Sequence, residues 1–134
     1  MKPILLLAPL ILLTACAGSE PTRLTGAETR GITDAPRPAT AGFTGGREGT
    51  RMELVAADGT VLTGLLRLEQ QPVIVPLAAT GAPLVGGGTE LTGEISSGNQ
   101  TMTCRFRLLN PPRGLDGGGT GRCEGGGRRV DFLF

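Results

Sequence analysis

The sequence predicts an all-β fold, a small antiparallel meander closed into a barrel or sandwich of about seven strands and preceded by a disordered tether. Three observations predict it. From Glu48 onward, short apolar runs are separated by Gly, Asp, Asn and Pro, the residues that punctuate turns. Within the runs, apolar and polar residues alternate with a period of two. The cleanest case is Gln100 to Leu109, with Met102, Cys104, Phe106 and Leu108 on one face and Thr101, Thr103, Arg105 and Arg107 on the other. No stretch repeats its apolar residues at the spacing of an amphipathic helix.

At the N-terminus, Lys2 precedes an apolar run from Ile4 to Leu13, which ends in Thr14-Ala15-Cys16. A basic start, an apolar run and small residues at a cysteine make the layout of an export signal. The run of about ten residues is too short for the ~20 that span a bilayer. Leu13-Thr14-Ala15-Cys16 resembles the lipobox of bacterial lipoproteins. The resemblance implies that residues 1–15 are a signal peptide and that Cys16 becomes the first mature residue. It also implies that Cys16 carries a diacylglyceryl group on sulfur and an acyl group such as palmitate on its amine. Ala17, not aspartate, follows the cysteine, so the implied destination is the outer membrane. Two or three acyl chains at ~0.8 kcal/mol per buried CH₂ make such attachment effectively permanent. Ala15-Cys16-Ala17 also fits an A-x-A site for ordinary signal peptidase, which would release a soluble periplasmic protein. Cysteine arithmetic favours the lipobox: with Cys16 lipidated, Cys104 and Cys123 remain as an even pair in an oxidising compartment.

Residues 16–47 read as a lipidated, disordered tether. They are mostly Ala, Gly, Thr, Pro and Arg without apolar periodicity, and Pro21, Pro36 and Pro38 obstruct helix and sheet. A flexible linker of this kind reaches about 30 Å. Deletion of residues 19–40 is expected to leave the domain's thermal midpoint nearly unchanged.

Residues 48–134 then form the β-domain, with candidate strands over 48–56, 61–68, 72–77, 89–96, 100–109, 120–124 and 129–134. A short repeat, G-T-x-L-T-G-x-[LI], occurs from Gly59 to Leu66 and from Gly88 to Ile95. In the second copy Leu91, Gly93 and Ile95 share a face, so the first copy should turn Leu62, Gly64 and Leu66 inward. A two-residue loop at Asp58-Gly59 would put Leu62 on the face of Val55; a three-residue loop or a bulge restores the parity with Met52 and Leu54. Cys123 must face inward to meet Cys104. Antiparallel pairing around that bond sets Arg105 opposite Arg122, and a final hairpin looping from Gly125 to Arg128 sets Asp131 opposite Arg122 and Arg129 opposite Glu124. Arg107 is then left as the freer cation.

Composition excludes several functions. The 134-residue chain has room for one domain, and its aromatic content of 3%, with no Trp, Tyr or His, leaves a small core and no histidine for a general base or a zinc site. No carboxylates cluster at ligand spacing, so neither catalysis nor a cofactor is expected. The formal charge of +1 comes from Lys2 in the signal segment, which argues against a nucleic-acid partner. Gly86-Gly87-Gly88, Gly117-Gly118-Gly119 and Gly125-Gly126-Gly127 lack the G-K-[ST] of a phosphate loop and read as turns.

Arg105, Arg107 and Arg122 form an outward basic stripe, while Glu48, Glu53, Asp58, Glu69, Glu90 and Glu94 make the upstream part acidic. The stripe is the candidate contact for an envelope protein or an anionic envelope polymer, against the plainer reading of a solvated face with local salt bridges. Ser96-Ser97-Gly98-Asn99-Gln100 resembles the serine-glycine loop of small periplasmic lysozyme inhibitors, though their accompanying tyrosine and lysine are missing, and it also reads as a hairpin turn. The leading expectation is a non-enzymatic, periplasm-facing outer-membrane lipoprotein, a structural or protein-binding module of the cell envelope. The alternative is an inhibitor or binder of a cell-wall-active enzyme such as a lysozyme.

Overall fold

The computed structural model describes residues 20–76 and 83–134, with the backbone alone for 70–76 and 83–88. Eight antiparallel strands, each bonded to its sequence neighbours and the last to the first, form a closed barrel. They are β1 (Thr22–Arg30), β2 (Arg37–Gly46), β3 (Gly49–Val55), β4 (Val61–Pro76), β5 (Pro83–Ser97), β6 (Gln100–Leu108), β7 (Gly119–Gly125) and β8 (Arg128–Leu133), with a 3₁₀ segment at Pro111–Gly117. The turns β1–β2, β3–β4, β5–β6 and β7–β8 therefore share one end of the barrel. The start of β1 and the 3₁₀ segment share the other.

The expected tether over 16–47 fails for residues 22–46, which form β1 and β2. The domain begins near Thr22, and the seven expected strands become eight. These strands lack a clear alternation because their inward positions are mixed: Gly26 and the charged Glu28 follow Leu24 on β1, and Ala39 and Ala41 precede Phe43 on β2. Their neighbours supply the bulk. An ideal Cβ on Gly26 would lie 2.6 Å from the Phe132 ring, so that position admits glycine only. Pro38 is tolerated because β3 pairs with β2 only from Thr40 onward, which leaves Pro38 at an edge on that side.

Two further expectations change. Segment 61–68 and residues 72–76 of the segment expected over 72–77 belong to one continuous strand, β4, residue 77 lying outside the described residues. Gly86-Gly87-Gly88, expected as a turn, lies inside β5 opposite Val73, Pro72 and Gln71.

The core runs along the barrel axis and includes Phe43, Met52, Leu54, Leu62, Leu66, Ile95, Phe106, Val130 and Phe132. Large and small residues alternate around the girth, with Phe106 opposite Gly121, Gly121 opposite Phe132, and Phe132 opposite Gly26. Such alternation fits side chains into a narrow barrel. The repeat works in the same way across β4 and β5: Gly64 faces Ile95, and Leu66 faces Gly93. Each copy's glycine sits beneath the other copy's large residue, and a Cβ on either would collide with the facing backbone.

The parity problem at Asp58-Gly59 is solved by a three-residue loop, Ala57-Asp58-Gly59. Ala56 N–H donates to the Thr60 carbonyl at 2.9 Å, and Gly59 takes φ +87°. Leu54 then pairs with Leu62. The last hairpin turns on Gly126-Gly127, both at positive φ. Cys104 and Cys123 are paired and disulfide-bonded across β6 and β7, at a sequence separation of 19. Closing a loop of that length contributes roughly 3 kcal/mol by chain entropy.

Candidate functional site

The outer face of β6 and β7 carries the basic stripe in the expected register. Arg105 faces Arg122, Arg122 faces Asp131 and Glu124 faces Arg129. Like charges placed opposite each other repel, and Asp131 relieves the repulsion. Its Oδ1 accepts from Arg122 Nε at 2.7 Å and its Oδ2 from Arg129 Nε at 2.8 Å. Glu124 adds a looser contact to Arg122 at 3.8 Å. Burial pushes the Asp131 carboxyl up, but the two arginine hydrogen bonds outweigh it and hold the group below its ordinary value.

The freer cation is Arg105, not Arg107. The β5–β6 register puts Glu90 opposite Arg107, and the two pair at 3.2 Å. Among the described residues Arg105 has no ion pair; its cross-strand neighbours are Thr92 and Arg122. The polarity seen along the chain is also not a polarity in space, since Glu90 and Asp58 are each drawn to arginines on other strands. The stripe thus resolves into two internally neutralised arginines flanking one available guanidinium. Both partners of the Arg122–Asp131 pair are substantially exposed, so screening limits its worth. Asp131→Asn should lower stability by at most about 1 kcal/mol, and by less in high salt. Urea midpoints at low and high salt check this.

A second cluster, not expected from the sequence, lies at the barrel end that carries the β3–β4 turn. Glu28 is 2% exposed and occupies an inward position of β1. A buried carboxylate must be paired and hydrogen-bonded, and this one is. Oε2 accepts the Ala57 N–H at 2.7 Å, and Oε1 accepts Arg30 Nε at 3.0 Å. Asp58 completes the cluster, taking Arg30 Nη2 at 2.7 Å and Arg128 Nη2 at 2.6 Å. The network ties β1 and β8 to the β3–β4 turn. Its sequence signal is a charge at the inward parity of Leu24 and Gly26, which is visible only once β1 is read as a strand.

Thr60, through its backbone N–H and its side chain, and then Arg30 and Arg128 hold the Asp58 carboxyl well below the usual aspartate range. A depressed folded-state pKa stabilises the fold above the unfolded value of ~3.9. That contribution is lost as pH falls through the folded value. Between about pH 5 and about pH 2 the wild-type urea midpoint should therefore fall more than that of Asp58→Asn, and the two curves should converge in acid.

Cys16 lies outside the described residues. Ser97-Gly98-Asn99 forms a tight turn between Ser97 and Gln100, with Gly98 at φ +58°. It lies at the end of the barrel opposite the start of β1. Among the described residues, no group of three or more His, Cys, Asp or Glu could hold a metal ion. Comparison with protein-family models, with curated proteins and with solved structures gives no significant match, so the functional reading of this chain rests on its own residues.

Proposed function

We propose that this chain is a lipoprotein of the bacterial outer membrane, anchored through acylated Cys16 and facing the periplasm. Its barrel serves as a non-enzymatic structural or protein-binding module of the cell envelope. The observation that carries this reading is Leu13-Thr14-Ala15-Cys16 at the end of a short apolar run, shortly ahead of the first barrel strand at Thr22. Two structural features support the binding part. Core side chains fill the barrel axis, so any partner meets the outer surface. On that surface Arg105 is the cation among Arg105, Arg107 and Arg122 that is not engaged internally, and it suits an acidic protein or an anionic envelope polymer.

The test is metabolic labelling with palmitate in a bacterial host. The wild-type chain should be labelled and fractionate with the outer membrane, and Cys16→Ser should lose the label and either accumulate as precursor or become soluble. A wild-type chain that takes up no label would overturn the anchor.

A further inference from the structure

β4 and β5 are far longer than the barrel needs. Pairing of β3 with β4 stops at Leu66, and pairing of β6 with β5 starts at Glu90. Yet β4 and β5 remain paired to each other from Gln70↔Thr89 out to Pro76↔Pro83. The excess is a two-stranded ribbon roughly 20 Å long at ~3.3 Å per residue.

Its composition differs from the rest of the chain. No charged residue occurs from Gln70 to Thr89, although 19% of the whole sequence is charged. Val73, Ile74 and Val75 on one strand pair with Gly86, Val85 and Leu84 on the other. Among the described residues no strand pairs with either edge of the ribbon. An isolated hairpin is marginal in water, and an apolar one with open edges invites association. Such a ribbon calls for cover.

The start of β1 indicates what covers it. Thr22, Leu68, Leu91, Leu108 and Leu115 line one depression at the mouth of the barrel, so the ribbon leaves the barrel beside the point where the chain enters it. Only Ala17 to Pro21 separate Cys16 from Thr22. Fully extended, that link spans at most about 20 Å, which matches the length of the ribbon. A lipid on Cys16 would therefore hold this end of the barrel against the membrane with the ribbon able to reach it.

We propose that the β4–β5 ribbon, through Val73–Val75 and Leu84–Val85, dips into the bilayer that carries the Cys16 lipid and acts as a second, non-covalent membrane contact. The proposal rests on the lipoprotein reading. Depth is limited by the unpaired strand edges, whose backbone groups cannot be stripped of water deep in hydrocarbon. The ribbon thus sits at the boundary between headgroups and acyl chains. Pro72, Pro76 and Pro83 lack an N–H and reduce the number of donors to be desolvated. Two contacts on one membrane would also fix the barrel's orientation, presenting the Ser97-Gly98-Asn99 turn and the Glu28–Asp58 cluster away from the lipid.

The absence of Trp makes the test direct. The full-length chain is reconstituted in vesicles of phosphatidylethanolamine and phosphatidylglycerol with brominated acyl chains. Val75→Trp and, independently, Leu84→Trp are compared with Val61→Trp, which lies at the other end of the barrel and is half exposed. Emission of Val75→Trp and Leu84→Trp should shift to the blue and be quenched several-fold more than that of Val61→Trp. Water-like emission overturns the proposal. So does a blue shift without bromine quenching, which would give the ribbon to a second copy or a protein partner. Palmitate labelling of the same preparation separates the two readings. A labelled chain with an unquenched ribbon sinks the ribbon contact alone, whereas an unlabelled chain quenched on added vesicles retains the contact and sinks the anchor.

Discussion

Deletion of residues 22–46 should abolish the cooperative unfolding of the domain. β1 is bonded on one side to β2 and on the other to β8, so its loss opens the barrel and leaves β3 and β8 as bare edges. The core loses Phe43, Ala39 and Ala41 together with the packing of Leu24. Removing a buried phenylalanine alone costs about 3–5 kcal/mol. Glu28 leaves as well, and Arg128, only 9% exposed, keeps Asp58 as its remaining partner. These losses are comparable with the whole stability of a domain this size, about 5–15 kcal/mol. Calorimetry or a far-ultraviolet dichroism melt of residues 47–134 against 17–134 decides the matter. A cooperative transition in the shorter chain within a few degrees of the longer one would return β1 and β2 to the status of a dispensable tether.

The same region shows where the sequence is legible and where it is not. Alternation reveals a strand when its inward residues are large, and β6, with Met102, Cys104, Phe106 and Leu108 buried, is read almost to its ends. In β1 and β2 the inward positions between Leu24 and Phe43 hold Gly26, Glu28, Ala39 and Ala41, and Gly26 leaves room for the Phe132 ring, so the pattern carries little hydrophobic contrast. Their strand character is set by residues distant in sequence, and Glu28 among them is hidden for the same reason. Register, by contrast, propagates from local chemistry. The Gly126-Gly127 turn and the disulfide together place Asp131 on Arg122. The partner of Arg107 was within reach of the same logic, because a two-residue turn at Gly98-Asn99 counts back along β5 to set Glu90 opposite Arg107. The continuation of β4 through Pro72 is not visible in that way, since a proline ordinarily demotes a strand unless it lies on an edge.

Phe106→Ala should lower stability by about 3–5 kcal/mol, at the upper end for a single core truncation. The chain contains only 4 phenylalanines, and all of them meet here. Phe106 is fully buried, with ring centroids 5.2 Å from Phe43 in an edge-on arrangement, 5.4 Å from Phe132 and 6.3 Å from Phe134. The truncation would leave a hole that the barrel cannot close, because the cross-strand neighbour beneath the ring is Gly121 and has no side chain to move in. Gly121 supplies a second test of the same contact. A Cβ placed there overlaps the Phe106 ring, so Gly121→Ala should destabilise by about 1–3 kcal/mol through overpacking. In the Phe106→Ala background the same methyl would enter vacated space, and Gly121→Ala should then be neutral or stabilising. Urea midpoints of the two single variants and the double variant give the coupling between the sites. Strictly additive losses would show that the ring does not rest on Gly121, and with that the alternation of large and small residues around the barrel would lose its central example.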